Sequence, residues 1–141
     1  MLVNEYMEMA IKEAKKAIKK QDVPVGAVIV SNNKVLSKAC NNRYSQDNVL
    51  GHAEVLAIQK AQKKLRGWRM NNCEMYVTLE PCEMCKKIIL EARLSKVYFL
   101  VDKTEQKAGY QQVKFAKIEN YDPEITGNYC QMLSDFFINK R

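Results

Sequence analysis

A single histidine and one close-set pair of cysteines limit what this chain can become. His52 is the only histidine in 141 residues, and Cys82 and Cys85 form the only C-x-x-C among five cysteines. One nitrogen and two sulfur donors match a mononuclear zinc site with an open position, which takes about three protein ligands and a water. His52, Cys82 and Cys85 are therefore the candidate ligands. Glu54, two residues from the histidine, is left over. A spare carboxylate beside such a water is what general acid/base chemistry asks for. Bringing these groups together means folding back a separation of 82 − 54 = 28 residues.

The rest of the chain supplies the scaffold. Residues 4–20 predict a helix: Asn4 is its candidate cap, and Met7, Ile11, Ala14 and Ile18 recur on one face. Lys12, Lys15, Lys16, Lys19 and Lys20 fall mostly off that stripe and read as a solvated face or an RNA contact. Val23 to Val30 is a turn feeding a strand. Pro24 cannot donate to a central ladder, so the strand starts near Gly26. Gly26 fits either a plain strand start or the close approach of another backbone or a ligand. Ser31 to Lys34 is a hairpin turn, and Val35 to Ala39 the return strand. A polar loop over 40–51 leads to His52 and a helix ending near Leu65. Met75 to Leu79 is the next strand, closed by Glu80-Pro81. Proline suits a first helical turn, so another helix starts near Pro81 or Cys82 and buries Cys85, Ile88, Ile89 and Ala92. Val97 to Val101 completes a βαβ unit with parallel strands and a right-handed crossover. Residues 102–117 show no clear period. Asp122-Pro123 and Gly127-Asn128 read as turns before a last helix from about Tyr129 to Ile138.

This layout explains how a site can form. Cys82 and Cys85 are i and i+3, and so share a face at a helix start. The positive end of that helix favours thiolate, the form that zinc binds. His52 also stands at a helix start, and two helix starts that follow strands of one sheet can point at one spot. Glu54 cannot share the histidine's direction on a regular helix, and can face the water instead. Two plainer readings stay open. A fourth sulfur from Cys40, Cys73 or Cys130 would close the site, or His52 would be a core residue near unrelated thiols.

Composition bounds the setting. With 47% hydrophobic and 28% charged residues, 141 residues suit one soluble globular domain over 1–141. No apolar run approaches the roughly 20 residues of a membrane helix. Glu5 and Glu8 argue against an N-terminal signal peptide. An odd number of cysteines with one tight pair fits a reducing, cytoplasmic compartment. A net charge of +7 suits a polyanionic partner such as RNA.

At His52-Ala53-Glu54 and Pro81-Cys82-Glu83-Met84-Cys85 the chain resembles the zinc-dependent cytidine deaminase superfamily, whose signature is H-x-E followed by P-C-x-x-C. Within it the chain is most similar to the bacterial tRNA adenosine deaminases, which convert the wobble adenosine of an anticodon to inosine. The likeness also draws on Val23 to Val28, Asn41-Asn42-Arg43, Tyr76 to Pro81, Lys107-Ala108-Gly109 and Ser134-Asp135-Phe136-Phe137. It implies a cytidine-deaminase-like α/β fold, a three-layer α/β/α sandwich around a mixed five-stranded sheet. It further implies one Zn2+ per subunit, a homodimer, and a tRNA anticodon loop as partner. By motif position, Asn41 resembles the asparagine that reads the purine edge. Pro24, Val25, Gly26, Ala27, Leu79 and Glu80 resemble pocket wall. Asp102 resembles a residue near the target ribose. Phe136, Phe137, Lys140 and Arg141 resemble a tail beside the anticodon loop.

The chain departs from that family at Asn48-Val49-Leu50-Gly51, which lacks the usual proline, at Leu100-Val101, and at Tyr110, where serine is common. These changes leave the zinc set intact and bear on substrate preference. Two other functions compete: a deaminase of a free nucleobase or nucleoside of the cytosine or guanine type, and a non-catalytic zinc-stabilised RNA-binding module. Trp68 reads as packing at a helix end or as a base-stacking platform.

Overall fold

The computed structural model describes residues 2–103 and 114–139. Along the chain run α1 (Leu2–Lys19), β1 (Gly26–Ser31), β2 (Lys34–Cys40), α2 (Ala53–Leu65), β3 (Cys73–Leu79), α3 (Glu83–Ala92), β4 (Lys96–Val101), β5 (Lys114–Lys117) and α4 (Pro123–Asn139). The strands form one sheet in the order β2-β1-β3-β4-β5. β1 is antiparallel to both β2 and β3, whereas β3, β4 and β5 are parallel. The unit β3-α3-β4 is the expected crossover.

β1 is buried on both faces, and its alternation assigns the layers. Ala27 and Ile29 join Ala53, Ala57, Ile58 and Ala61 of α2 and Ile89 and Ala92 of α3 in one core. Val28 and Val30 join Met7, Ala10, Ile11 and Ala14 of α1 and Tyr129 of α4 in the other. The result is an α/β/α sandwich, and it puts the N-terminal ends of α2 and α3 on the same side of the sheet.

Gly26 makes the close approach that the sequence left open, and the neighbour is backbone. A Cβ there would run into the Ala10 carbonyl and lie 2.6 Å from the Ala14 nitrogen of α1. Only glycine lets α1 seat this deeply on β1.

Several boundaries differ from the sequence reading. α1 begins at Leu2, because Val3 and Tyr6 extend the apolar stripe, so Asn4 lies inside the helix and does not cap it. The stretch 102–117 contains the edge strand β5. Gly127-Asn128 is not a turn but part of α4. Asp122 Oδ1 accepts the Glu124 N–H at 2.9 Å and starts that helix early. Ile125, Tyr129, Met132 and Leu133 then pack on the sheet, which outweighs the roughly 1 kcal/mol that a helical glycine costs. Lys107-Ala108-Gly109, Tyr110, Lys140 and Arg141 lie outside the described residues. No described helix is long and apolar enough to cross a membrane.

Candidate active site

His52 and Cys82 occupy equivalent places: each is the N-cap of its helix, with extended backbone. Their carbonyls accept the first helical N–H groups, from Leu56 at 3.0 Å and Lys86 at 2.9 Å. An N-cap side chain points back over the helix end, so two caps on neighbouring helices converge. His52 Nδ1 lies 3.5 Å from Cys85 Sγ and 3.9 Å from Cys82 Sγ. The donor atoms of all three residues fall within 4.8 Å of one another. One nitrogen and two sulfurs so close together can hold a zinc ion. Among the described residues no further histidine, cysteine or carboxylate joins this group. Cys40, Cys73 and Cys130 are free thiols elsewhere.

The electrostatics suit metal binding. The hydrogen bond with Cys85 draws the Cys82 thiol down to about 3, and His52 adds to the effect. The same contact with Cys82, together with burial, pushes Cys85 up. The sulfurs thus share one proton, which a dication would displace. Its hydrogen bond to Cys82 raises His52.

Glu54 is 4% exposed and lines the cavity beside His52 and Cys82. Burial raises its carboxyl to about 7, and a cation in the cluster would favour the ionised form. The cavity holds about 260 Å³, with Val23, Val25, Asn41, Arg43, Tyr44, Leu79, Glu80, Lys103 and Phe137 as its other walls. That is just under the usual 300–1,000 Å³ of sites for drug-sized ligands, and suits a single planar base.

The approach to the site is braced from behind. Asn41 is buried, and its Oδ1 accepts the Ala53 N–H of α2 at 2.7 Å, leaving the amide N–H2 as the group it can offer a ligand. Asp22, fully buried, accepts the N–H groups of Tyr44 at 2.7 Å and Ser45 at 3.0 Å, and so anchors the loop before His52. Glu80 takes Lys86 Nζ at 2.9 Å on one oxygen and the Lys103 N–H at 3.0 Å on the other. Lys86 is itself buried beside the Phe115 ring, 5.4 Å from its centroid. One carboxylate thereby ties the β3–α3 link to the segment after β4.

The structure sorts the residues expected at the pocket. Val25, Asn41, Leu79, Glu80 and Phe137 line it. Pro24, Gly26 and Ala27 lie outside the lining. Pro24 presents its carbonyl to the Tyr129 hydroxyl at 2.8 Å, Gly26 faces α1, and Ala27 is wholly in the core. Asp102 is directed elsewhere, because Lys117 of β5 holds it in an ion pair at 3.1 Å beside a different cavity. Val23, Arg43, Tyr44 and Lys103 are wall residues that the sequence reading did not assign. Arg43 lay within the Asn41-Asn42-Arg43 motif, while Tyr44 and Lys103 had no sequence signal of their own.

Comparison with known proteins agrees with this geometry. Residues 2–101 match the cytidine and deoxycytidylate deaminase zinc-binding region. A tRNA-specific adenosine deaminase of Bacillus subtilis is 47% identical over 94 residues, or 67% of this chain, but the match spans only 58% of that relative's length. The Rickettsia typhi protein of the same name is 37% identical over 96% of this chain and 97% of its own. A structure from a study of A-to-I editing by tRNA:A34 deaminases superposes with a TM-score of 0.72 at 28% identity, covering 79% of this chain and 96% of that one. The shared zinc-binding region and relatives aligned almost end to end place this chain in the cytidine and deoxycytidylate deaminase family, beside the bacterial proteins named tRNA-specific adenosine deaminase.

Proposed function

We propose that the protein is a zinc-dependent hydrolase that converts the wobble adenosine of a tRNA anticodon to inosine and releases ammonia. The observation that carries this reading is the buried carboxylate of Glu54 in a base-sized cavity beside the His52, Cys82 and Cys85 donors. Those three residues would hold the ion. When bound, zinc brings the pKa of a coordinated water to near neutral.

The chain's own groups do the rest. Asn41 donates its amide N–H2 to a ring nitrogen of the purine. Val25 and Leu79 give the base an apolar slot in place of its stacking neighbours. Glu54 accepts a proton from water and delivers it to the ring nitrogen beside C6. As water oxygen bonds to C6 and the C6–N bond breaks, Glu54 passes a proton to the departing amine. One water is consumed, its oxygen becomes the inosine carbonyl, and one ammonia leaves.

The rim supports RNA over a free base. Tyr44 is 58% exposed and Phe137 49% exposed, so both can stack on flanking bases. Arg43 and Lys103 stand beside them for phosphates. Exposed Val49 and Leu50 shortly precede His52 in sequence, and exposed Met84 lies between Cys82 and Cys85. They support a homodimer joined near its active sites. A tRNA substrate supports a cytoplasmic location. Ammonia release from an anticodon stem-loop, compared with free adenosine, cytidine and guanine, tests the substrate class. Turnover of the stem-loop alone is expected, and turnover of guanine or cytidine alone would redirect the reading to small-molecule deamination.

A further inference from the structure

The opposite ends of α2 and α3 carry a different chemistry. From Lys60 to Arg69 the chain has the cations Lys60, Lys63, Lys64, Arg66 and Arg69 and no acid. Every residue from Lys63 to Arg69 is exposed. Trp68, the only tryptophan, sits among them 52% exposed and belongs to neither hydrophobic core. Its carbonyl accepts Gln62 Nε2 at 2.8 Å, which pins the loop. The Arg69 guanidinium lies 4.9 Å from the indole centroid and the Arg93 guanidinium 5.7 Å. Arg93 caps the C-terminus of α3, so two separate segments bring cations to one ring. Glu91, also exposed, is the nearest acid in sequence to Arg93.

We propose that Trp68, Arg69 and Arg93 form a second RNA contact, taking a part of the tRNA other than the loop that enters the cavity. Guanidiniums pair with phosphates in forked geometry, and an indole face stacks on any exposed base. The 13 residues of α2 put about 20 Å between this patch and His52, so one nucleotide cannot occupy both. A second copy of the chain is a poor occupant, because a two-fold contact would set this cationic surface against itself. The choice of RNA as partner rests on the tRNA reading above.

Because Trp68 is the sole tryptophan, its emission reports on the patch directly. Full-length tRNA titrated into the zinc-loaded protein is expected to change that emission saturably, and the isolated anticodon stem-loop is expected to leave it unchanged while being deaminated. In an Arg69→Gln/Arg93→Gln variant, Kd for full-length tRNA should rise about tenfold, with the log Kd against log salt slope reduced by about 2. Stem-loop turnover should stay within about twofold, since exposed substitutions away from the cavity seldom disturb the fold. Unchanged emission at saturating tRNA, or unchanged affinity in the double variant, would overturn the proposal. So would emission that follows protein concentration without RNA. If tRNA shifts the emission yet is never deaminated, the catalytic reading fails and this contact stands.

Discussion

At the scale of single residues, the site depends on which groups are held and which are left able to react. Glu54 is enclosed and faces the cavity, so its loss removes proton transfer without touching the donor set. Glu54→Gln should retain stoichiometric zinc by metal analysis and lose about 10²–10⁴-fold in deamination rate. The cysteines give an independent check. Burial pushes the Cys40 and Cys73 thiols up, and Cys130 is exposed. Iodoacetamide at pH 8 should therefore label Cys130 first in the zinc-loaded protein. Stripping the metal with a chelator should add Cys82, whose thiolate is favoured by Cys85 and His52. Labelling of Cys82 at the same rate with and without zinc would show that its sulfur is not a ligand.

Elements matter here mainly as the means by which distant residues meet. The buried pair of Lys86 on α3 and Glu80 after β3 joins the helix of Cys85 to the cavity wall. Lys86→Met would take the Lys86 ammonium from the enclosed Glu80 carboxylate, at a cost of about 3–5 kcal/mol in a denaturant titration. Adding Glu80→Gln should return part of that loss. Behind the same wall the Gly26 N–H donates to Thr78 Oγ1 at 3.2 Å, Thr78 to the Tyr129 hydroxyl at 2.8 Å, and Tyr129 to the Pro24 carbonyl at 2.8 Å. The series links α4 to β1 and β3. Tyr129→Phe should cost about 1–3 kcal/mol, because it strands buried partners.

How far these elements were legible follows from their physics. His52, Cys82 and Cys85 could be read from the sequence because their spacing and side-chain chemistry are local facts. β1 and the β3-α3-β4 unit could be read because long apolar runs carry their own period. Asp102 could not be placed, since its direction depends on Lys117 of β5. That four-residue edge strand, with lysine at both ends, has too little pattern to announce itself. Pro24 and Gly26 flank pocket residue Val25 in sequence, yet Pro24 meets Tyr129 and Gly26 meets α1, while Ala27, on the same face as Val25, is closed off in the core. Gly127-Asn128 misled for the converse reason: tertiary packing of α4 overrode a local turn signal.

The molecule as a whole is a cationic body with a base-sized opening. A net charge of +7 should make tRNA affinity fall steeply with salt, whereas zinc content should not change. The most direct test is mass spectrometry of an adenosine-34 tRNA incubated with the purified, zinc-loaded protein. The expected result is a gain of about 1 Da at the wobble base, as inosine replaces adenosine with loss of an amine and gain of an oxygen. It should occur with wild type and not with Glu54→Gln. An unmodified wobble base under wild-type protein, or equal conversion by the Glu54 variant, would contradict it.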